Sequence, residues 1–239
     1  MLGLGNNLNK AGVTGATNLG IVTDNLVMKH KYPVGAVQPL SDGAAYFDQG
    51  SGDKITTITP SSTFYVDFSI CFWVYRQEAG TIDVMIDAVE GNNDGMILLF
   101  HTDNTLKFSL DANDVTTTTT FSANQWYHIA VVQDDDGDTQ QIYVDGALDK
   151  SGTAVSTLDN TNDTLSIARD VSSNNPFKGY LCNLGIWTKA LEIADVKSIM
   201  WKQYADLSSS ETTLLTSWYP LETNANDSTG NYNGSTTGF

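Results

Sequence analysis

Residues 125–146 constrain the fold of this chain more than any other segment. They read Q-W-Y-H-I-A-V-V-Q, then the acidic turn D-D-D-G-D, then T-Q-Q-I-Y-V-D-G. Two runs rich in Val, Ile, Tyr and Trp thus flank a turn of Asp and Gly, and each run alternates apolar with polar residues. This pattern is typical of a half-buried antiparallel hairpin. A second tight turn is predicted at 144–146, where Val-Asp-Gly follows the second run.

Three other segments extend this pattern along the chain. They are residues 41–55 (S-D-G-A-A-Y-F-D-Q-G-S-G-D-K-I), 68–74 (F-S-I-C-F-W-V) and 177–191 (F-K-G-Y-L-C-N-L-G-I-W-T-K-A-L). Together with the hairpin, and in this order, they resemble the laminin-G-like domains of the concanavalin A type. The resemblance implies an all-β fold, a laminin-G-like jelly-roll β-sandwich of two antiparallel sheets. It does not imply one function, because this sandwich carries lectins, adhesion modules, glycosidases and structural spacers.

The composition of the chain changes at about residue 24. Residues 1–24 are rich in Gly and Asn and show neither helical nor strand periodicity, so they cannot bury enough apolar surface to become ordered alone. We therefore predict an N-terminal docking arm over residues 1–24, held by neighbouring subunits, and one jelly-roll domain over residues 25–239. A flexible leader is the alternative for the arm.

One short helix is predicted in the C-terminal half, over residues 190–204. Leu191, Ile199 and Trp201 lie there at helical spacing, and Thr188 is a candidate N-cap. Residues 214–234 resemble the opening strand of the family, although here they follow the other motifs. They either close the sandwich or begin a further repeat, and closure is favoured because an unpaired apolar strand would be a sticky edge.

Alternation within the predicted strands places Trp73, Trp126 and Trp187 in the core. Cys71 and Cys182 are the two cysteines, both inside predicted strands, and we expect buried free thiols rather than a disulfide.

Charge and hydropathy exclude several kinds of partner. The formal net charge is −16, and the 12 Lys and Arg residues form no cluster, which argues against nucleic acid. No apolar stretch reaches the roughly 18 residues of a membrane span. The first ten residues also lack the features of a secretory signal, so we expect no export by that route.

Residues 81–87 (T-I-D-V-M-I-D) are similar to the E-I-D-V-M-E strand of retaining glycosidases with this sandwich. Thr81 and Ile86 occupy the positions of the nucleophile and the acid/base, only Asp83 matches the middle aspartate, and Asp87 is one residue out of place. A shift of one residue turns a strand side chain to the other face. We therefore predict a non-enzymatic protein, with His128 packed in a central strand rather than acting as a base.

The resemblance implies a candidate calcium site at Asp48 and Asp53, with Asp227 or Asn231 from the C-terminal loop. Calcium takes oxygen ligands from carboxylates, carbonyls and water. A structural calcium ion and an ion-free loop both stay open, and no other cofactor is predicted. The acidic turn at 134–138 does not match an EF-hand loop, because Val132 stands where the first ligand should be.

Glycan binding needs aromatic side chains beside amides and carboxylates. The candidates in predicted loops are Tyr75, Trp201 and Tyr232, together with Asn92 and Asn93. Packing in the core or in an interface is the alternative for these aromatic residues.

A weaker resemblance concerns the setting of the protein. The Gly/Asn-rich lead with I-V-T-D-N-L-V and the trailing S-W-Y-P-L-E look like laminin-G-like proteins encoded among the virion genes of marine phages. The leading hypothesis is a non-enzymatic structural protein of a phage virion, assembled in the host cytoplasm. It would be an exterior decoration or a fibre- or tail-associated module, with other virion proteins and copies of itself as partners. The alternative is a carbohydrate-binding lectin module, and a glycoside hydrolase ranks third.

Overall fold

The structure is a computed structural model that describes residues 38–50, 52–58, 61–64, 66–89, 95–155, 164–172 and 174–238. The predicted docking arm, residues 1–24, lies outside the described residues, so that prediction stays untested.

Within these described ranges, fourteen strands form two antiparallel sheets of seven strands each. The first sheet has the order β1-β12-β3-β8-β9-β10, with β13 also paired to β12, and the second has the order β14-β2-β11-β4-β5-β6-β7. The strands are β1 (Ala45–Phe47), β2 (Lys54–Ile58), β3 (Phe68–Arg76), β4 (Asp83–Val89), β5 (Gly95–Phe100), β6 (Leu106–Leu110), β7 (Asn113–Thr116), β8 (Gln125–Asp134), β9 (Thr139–Val144), β10 (Ala147–Gly152), β11 (Thr164–Ile167), β12 (Gly179–Trp187), β13 (Leu215–Tyr219) and β14 (Ser235–Thr237). The predicted all-β sandwich is confirmed.

The main core lies between the two sheets. Alternate residues of β3 point into it, among them Phe68, Ile70 and Phe72, which are fully buried with Leu98 and Phe108 of the second sheet. The intervening residues of β3 therefore point to the outer face of the first sheet, because side chains alternate along a strand. Burying each such apolar side chain stabilises the fold by about 1.5–3 kcal/mol.

The predicted hairpin is confirmed. β8 and β9 pair from Ile129 opposite Val144 to Asp134 opposite Thr139. The next turn has positive φ at Asp145 and Gly146, as a type I′ turn requires. The Asp145 carboxylate also accepts the backbone N–H of His128 at 2.8 Å, which ties the turn back to β8.

The helix is shorter than the sequence predicts. Helix α1 spans Ile193–Ile199 and has no side-chain N-cap, whereas the prediction was 190–204 with Thr188 as the cap. The Thr188 hydroxyl instead donates to the carbonyl of Leu214. Past the helix, Trp73 donates to the carbonyl of Met200, so tertiary contacts redirect the chain before a further helical turn forms.

The C-terminal segment closes the sandwich. Strand β13 pairs with β12 in the first sheet, and β14 pairs with β2 in the second. The same segment therefore contributes one strand to each sheet, as the closure hypothesis required.

Two of the three tryptophans predicted in the core lie there. Trp73 is 1% exposed and Trp187 is fully buried. Trp126 is only half-buried, so its assignment to the core was wrong: like Trp73 and Trp187 it lies on the outer face of the first sheet, but the chain that buries those two does not cover it fully. Cys71 and Cys182 are buried free thiols, as predicted. Among the described residues, no helix has the length and apolar character needed to cross a bilayer.

Candidate functional site

The outer face of the first sheet has two regions. One is packed beneath helix α1 and the chain that follows it, and we call it the covered region; it comprises Cys71, Trp73, Ala130, Val132, Tyr143, Cys182, Trp187 and Trp218. The other lies beyond the end of this cover and carries four aromatic side chains. We call it the aromatic row; it comprises Tyr46, Tyr180, Tyr75 and Trp126.

The aromatic row crosses four neighbouring strands in one line. Tyr46 of β1 is opposite Tyr180 of β12, Tyr180 is opposite Tyr75 of β3, and Tyr75 is opposite Trp126 of β8. Successive ring centroids are 4.9, 5.7 and 5.5 Å apart. Strand spacing sets these distances, and directly opposite aromatic residues stabilise each other across strands. The result is a continuous strip of aromatic rings.

This strip is open to solvent. Tyr46 is 39% exposed, and Tyr180, Tyr75 and Trp126 are half-buried. A run of exposed apolar surface bordered by polar residues marks an interaction site more often than scattered single residues do. Tyr and Trp suit such a surface, because each joins a large apolar ring to a polar tip.

Polar residues border the row on the side away from α1. The Tyr46 hydroxyl lies 3.2 Å from the Oε1 of Gln77, and the backbone N–H of Gln77 donates to the carbonyl of Lys178. The Lys178 ammonium pairs with Glu78, and that hydrogen bond raises the pKa of Lys178. Amide, hydroxyl and carboxylate groups therefore stand beside the aromatic rings.

Trp201 borders the row on the other side. It is 40% exposed and its ring centroid lies 5.7 Å from that of Trp73, which precedes Tyr75 on the same face of β3. Lys202 holds this segment through an ion pair with Glu211 at 2.6 Å. The sequence candidates Tyr75 and Trp201 thus lie on one face, at the boundary between the covered region and the row.

A buried ion pair supports the row from beneath. Arg76 follows Tyr75 and points between the sheets, where its Nε lies 2.8 Å from Oδ2 of Asp83. The guanidinium also packs over the Phe100 ring at 4.8 Å, so it links the end of β3 to the second sheet. Burial raises the pKa of Asp83, although the hydrogen bond from Thr81 and the nearby Arg76 act in the opposite direction.

The glycosidase-like strand therefore carries structural carboxylates. Asp83 is committed to Arg76 and also accepts a hydrogen bond from the Thr81 hydroxyl at 2.9 Å. Asp87 accepts the backbone N–H of Val171 at 2.7 Å. Both aspartates are buried, and each carboxylate is used to hold the backbone or a neighbouring strand.

A groove of about 790 Å³ lies along the β1 edge of the first sheet. Its walls are Tyr46 and the adjacent residues of β1 on one side and residues of the C-terminal segment on the other. The polar groups in its lining belong to Asp48, Asp53, Glu222, Thr223, Asn224, Asn226 and Thr236. Tyr46 therefore belongs both to the aromatic row and to this groove.

Two of the three calcium candidates line the groove. Oδ2 of Asp53 accepts the backbone N–H of Asp48 at 2.8 Å. Asp53 as a residue is 6% exposed, and its buried Oδ1 has no hydrogen-bond partner among the described residues. A buried carboxylate oxygen without a partner fits an oxygen-binding cation. Within the described residues, however, no three Asp, Glu, His or Cys side chains form a group suited to a metal.

The third candidate, Asp227, has another role. Its carboxylate accepts backbone N–H groups from Trp218, Thr229, Asn231 and Tyr232, and the Thr229 hydroxyl also donates to it. These bonds shape the loop between β13 and β14, and they occupy both carboxylate oxygens.

The remaining glycan candidates lie elsewhere. Tyr232 lies in the loop before β14, where its backbone carbonyl accepts hydrogen bonds from Thr57 of β2 and Tyr219 of β13. Asn92 and Asn93 lie outside the described residues. Sequence reasoning missed Tyr46 and Tyr180, although both stand in strands next to inward-pointing apolar residues. The alternation of apolar and polar residues in these strands indicates that both side chains point outward. Only the order of the strands in the sheet places them next to Tyr75.

A known protein family matches more than half of the chain. A laminin G family model, described as the concanavalin A-like lectin/glucanases superfamily, matches residues 49–197. The chain belongs to this superfamily. The matched residues contain β3, β8 and β12, three of the four strands that carry the aromatic row. No curated protein sequence matches the chain significantly.

Solved structures share the same superfamily fold at low sequence identity. A Bacteroides ovatus protein, proposed to bind carbohydrate, is 20% identical with a TM-score of 0.66; the alignment covers 81% of this chain and 57% of that one. The receptor binding domain of a botulinum neurotoxin C/D mosaic serotype is 17% identical with a TM-score of 0.50, covering 63% and 40%. The chain thus spans little more than half of the first relative, and these likenesses concern the fold.

Proposed function

We propose that this member of the concanavalin A-like superfamily is a non-enzymatic glycan-binding module, and that the aromatic row is its binding surface. The observation that carries the proposal is the line of four partly exposed aromatic side chains across β1, β12, β3 and β8. The apolar C–H faces of sugar rings stack on aromatic rings, while the hydroxyls at the sugar edges need polar partners. The row supplies the first, and its polar border supplies the second.

The proposal explains why these aromatic side chains are left uncovered. Other aromatic residues on the same sheet face are buried beneath α1 and the chain after it. The row lies outside that cover, and its exposed apolar area costs solubility unless a ligand uses it. The fold relative from Bacteroides ovatus, itself proposed to bind carbohydrate, supports the same class of ligand.

We propose a non-enzymatic module because of the positions of the two carboxylates of β4. Retaining glycosidases need two carboxyl groups about 5–5.5 Å apart, facing the sugar. Asp83 is buried in the ion pair with Arg76, and Asp87 holds the backbone of Val171. Neither carboxylate belongs to the aromatic row, which lies on the other sheet.

A glycan array followed by titration tests the proposal. We expect the wild-type protein to bind at least one glycan, and Tyr75→Ala to lose about tenfold or more in affinity, equal to about 1.4 kcal/mol. Tyr232→Ala is the matched control, because it removes a partly exposed tyrosine of the loop between β13 and β14, outside the aromatic row. Equal binding by both variants, or release of reducing sugar from the bound glycan, would contradict the proposal.

We further propose that the module is carried by a phage virion, on its exterior or on a fibre or tail. The support is the Gly/Asn-rich composition of residues 1–24 and the resemblance to phage laminin-G-like proteins. A protein lacking residues 2–24 should stay folded and soluble but should not join particles or oligomers. Mass spectrometry of purified particles tests the setting itself, and absence of the protein from them would refute it.

A structural calcium ion at Asp48 and Asp53 is also proposed, on the strength of the unpartnered Asp53 Oδ1. An ion that binds only the folded state raises its stability, by about 2.7 kcal/mol at a hundred times Kd. Calcium should therefore raise the melting temperature of the wild type but not that of Asp53→Asn. Asp136→Asn, which changes an exposed acid of the 134–138 turn, should keep the response. A melting temperature insensitive to calcium and to EDTA would exclude the ion.

A further inference from the structure

We propose that the aromatic row and the groove along β1 form one continuous site for an uncharged linear glycan. The glycan chain would run across the strands, over Trp126, Tyr75 and Tyr180, and would pass Tyr46 into the groove. This inference rests on the proposed glycan-binding function and adds the shape, the charge and the direction of the ligand.

The position of Tyr46 connects the two parts. Tyr46 is the last aromatic side chain of the row, on β1, and β1 is an edge strand of the first sheet among the described residues. The groove lies along that edge, and Tyr46 is part of its lining. A ligand that follows the row past Tyr180 therefore reaches the groove directly.

The even spacing of the row favours a repeating ligand. Neighbouring rings are separated by 4.9 to 5.7 Å, because each stands on the next strand of one sheet. An extended polysaccharide presents one sugar ring after another at a comparable spacing, so successive sugars can contact successive side chains, whose ring planes are inclined to one another by 43 to 78°. A terminal sugar would need an enclosed pocket, whereas the row is an open strip.

The groove offers hydrogen-bonding groups where the aromatic row ends. Asn224 and Asn226 are exposed, and the Glu222 carboxylate is held in place by the backbone N–H of Asp42 at 3.2 Å. Amides both donate and accept, and a carboxylate accepts from two hydroxyls. These groups suit the hydroxyls of a sugar chain whose rings have left the aromatic surface.

The charge of the site excludes a polyanion. Among the described residues that line the groove there is no Lys, Arg or His, whereas Asp48, Asp53 and Glu222 are acidic. The proposed calcium ion would offset the charges of Asp48 and Asp53 and leave that of Glu222. Beside the row, Lys178 is already paired with Glu78. With a formal net charge of −16 for the chain, sulfated or uronate-rich glycans are repelled.

The experiment measures affinity against chain length by calorimetric titration. The probes are soluble β-linked gluco-, manno- and xylo-oligosaccharides from one to eight sugar units, with alginate and carrageenan oligosaccharides as polyanions. Affinity should rise with each added unit, about tenfold or more from two units to four, and should rise further at six to eight units as the chain enters the groove. The polyanions should not bind.

Variants separate the two parts of the site. Trp126→Ala, at the far end of the row, should weaken short and long chains alike, by about tenfold. Asn224→Ala, in the groove, should leave chains of up to four units unchanged and should remove the additional affinity of longer chains. Tyr46→Ala should lower the affinity for short chains and also the additional affinity of longer chains. Tyr232→Ala should change neither affinity. Thermal melting of each variant confirms that it is folded.

The outcomes separate this inference from the proposed function. If no glycan in these series or on an array binds, the proposed function fails. If a glycan binds through Tyr75 but a single sugar binds as well as an oligosaccharide, or a polyanion binds best, the function holds and this inference is wrong. Loss of short-chain affinity in Asn224→Ala, or equal affinity for four and eight units, would likewise refute the continuous site.

Discussion

The covered region and the aromatic row are built on the same face of the same strands, yet they have opposite relations to water. On β3, Trp73 is sealed beneath Met200, to whose carbonyl its indole donates, while Tyr75 two residues later is half-open. The residue types do not make this difference. The position of α1 and the chain after it does, because that segment covers Trp73 and Trp187 but leaves Tyr75 half-open. An aromatic residue on a sheet face thus becomes core or binding surface according to what is laid over it.

The largest expected effect lies in the covered region. Trp187 is fully buried and packs edge to face against Trp218 at 6.0 Å. Trp187→Ala should lower the free energy of unfolding by about 3–5 kcal/mol, because it leaves a large cavity. Trp126→Ala, its counterpart in the row, should cost no more than about 1 kcal/mol. Chemical denaturation measures both, and equal losses would show that the two regions do not differ in burial.

The second prediction concerns the attachment of the cover. Glu211 accepts from Lys202 and from the backbone N–H of Ser208. Its burial acts against ionisation, but these bonds prevail and lower its pKa to about 2 from 4.5. A depressed carboxyl pKa stabilises the fold above pH 4.5, and this stabilisation is lost as the pH falls towards 2. Glu211→Gln should therefore cost about 2 kcal/mol at neutral pH and little near pH 2.

The control for that prediction is Glu78→Gln. Glu78 pairs with Lys178 at the exposed border of the row, where an ion pair contributes less than about 1 kcal/mol. Urea unfolding at several pH values compares the two variants. A Glu211→Gln penalty that does not shrink in acid would mean that the carboxylate charge is not what holds the cover.

The third prediction is a pH dependence of stability from the covered face. His128 stands beside Trp73, with ring centroids 5.3 Å apart, and burial lowers its pKa from 6.5 to about 3. The unfolded chain therefore binds a proton below pH 6.5 that the folded chain does not. Stability should fall by about 1 kcal/mol per pH unit as the pH drops from about 6 to 4.

His128→Gln should flatten this part of the profile, after allowance for its own effect at neutral pH. His101, with an exposed side chain, provides the control: His101→Gln should leave the profile unchanged. A wild-type profile that is flat between pH 6 and 4 would show that His128 is accessible to protons in the folded protein.

The smallest expected effect is the reactivity of the thiols. Cys182 lies under the same cover as Trp73, and burial raises its pKa to about 12. Because the thiolate is the reactive form, neither Cys182 nor Cys71 should react with a thiol reagent in the folded protein. Both should react within minutes in denaturant. Fast labelling of the native protein would mean that the cover opens.

The fold followed from the sequence because its strongest signals are local. The hairpin of β8 and β9 is formed by consecutive residues and is followed by an Asp-Gly turn. No distant contact is needed to predict it. The helix was less predictable. Its spacing continued to Trp201 and beyond, but the contacts of Met200 with Trp73 and of Lys202 with Glu211 end it at Ile199.

The candidate site was only partly predictable, for the same reason. The sequence offered Tyr75 and Trp201 as loop aromatic residues, but Tyr75 lies in strand β3. Trp126 was assigned to the core because alternation alone does not tell which part of a sheet face is covered. Tyr46 and Tyr180 come from strands far apart in sequence. Their alignment with Tyr75 depends on the order β1-β12-β3, which no short motif encodes.

The two strands of the C-terminal segment bear on how the fold is reached. Strand β2 gains its partner on one edge only when β14 pairs with it, which places Ser235 opposite Thr56. Strand β13, which precedes β14 in the chain, pairs with β12. Pairing such distant segments costs loop-closure entropy before the new strand contacts stabilise the fold. β-Sandwiches accordingly fold in milliseconds to seconds. On a ribosome, residues 215–237 emerge after the other strands that the structure describes. A nascent chain therefore exposes unpaired edges of both sheets until these two strands emerge, and such edges invite pairing with other chains.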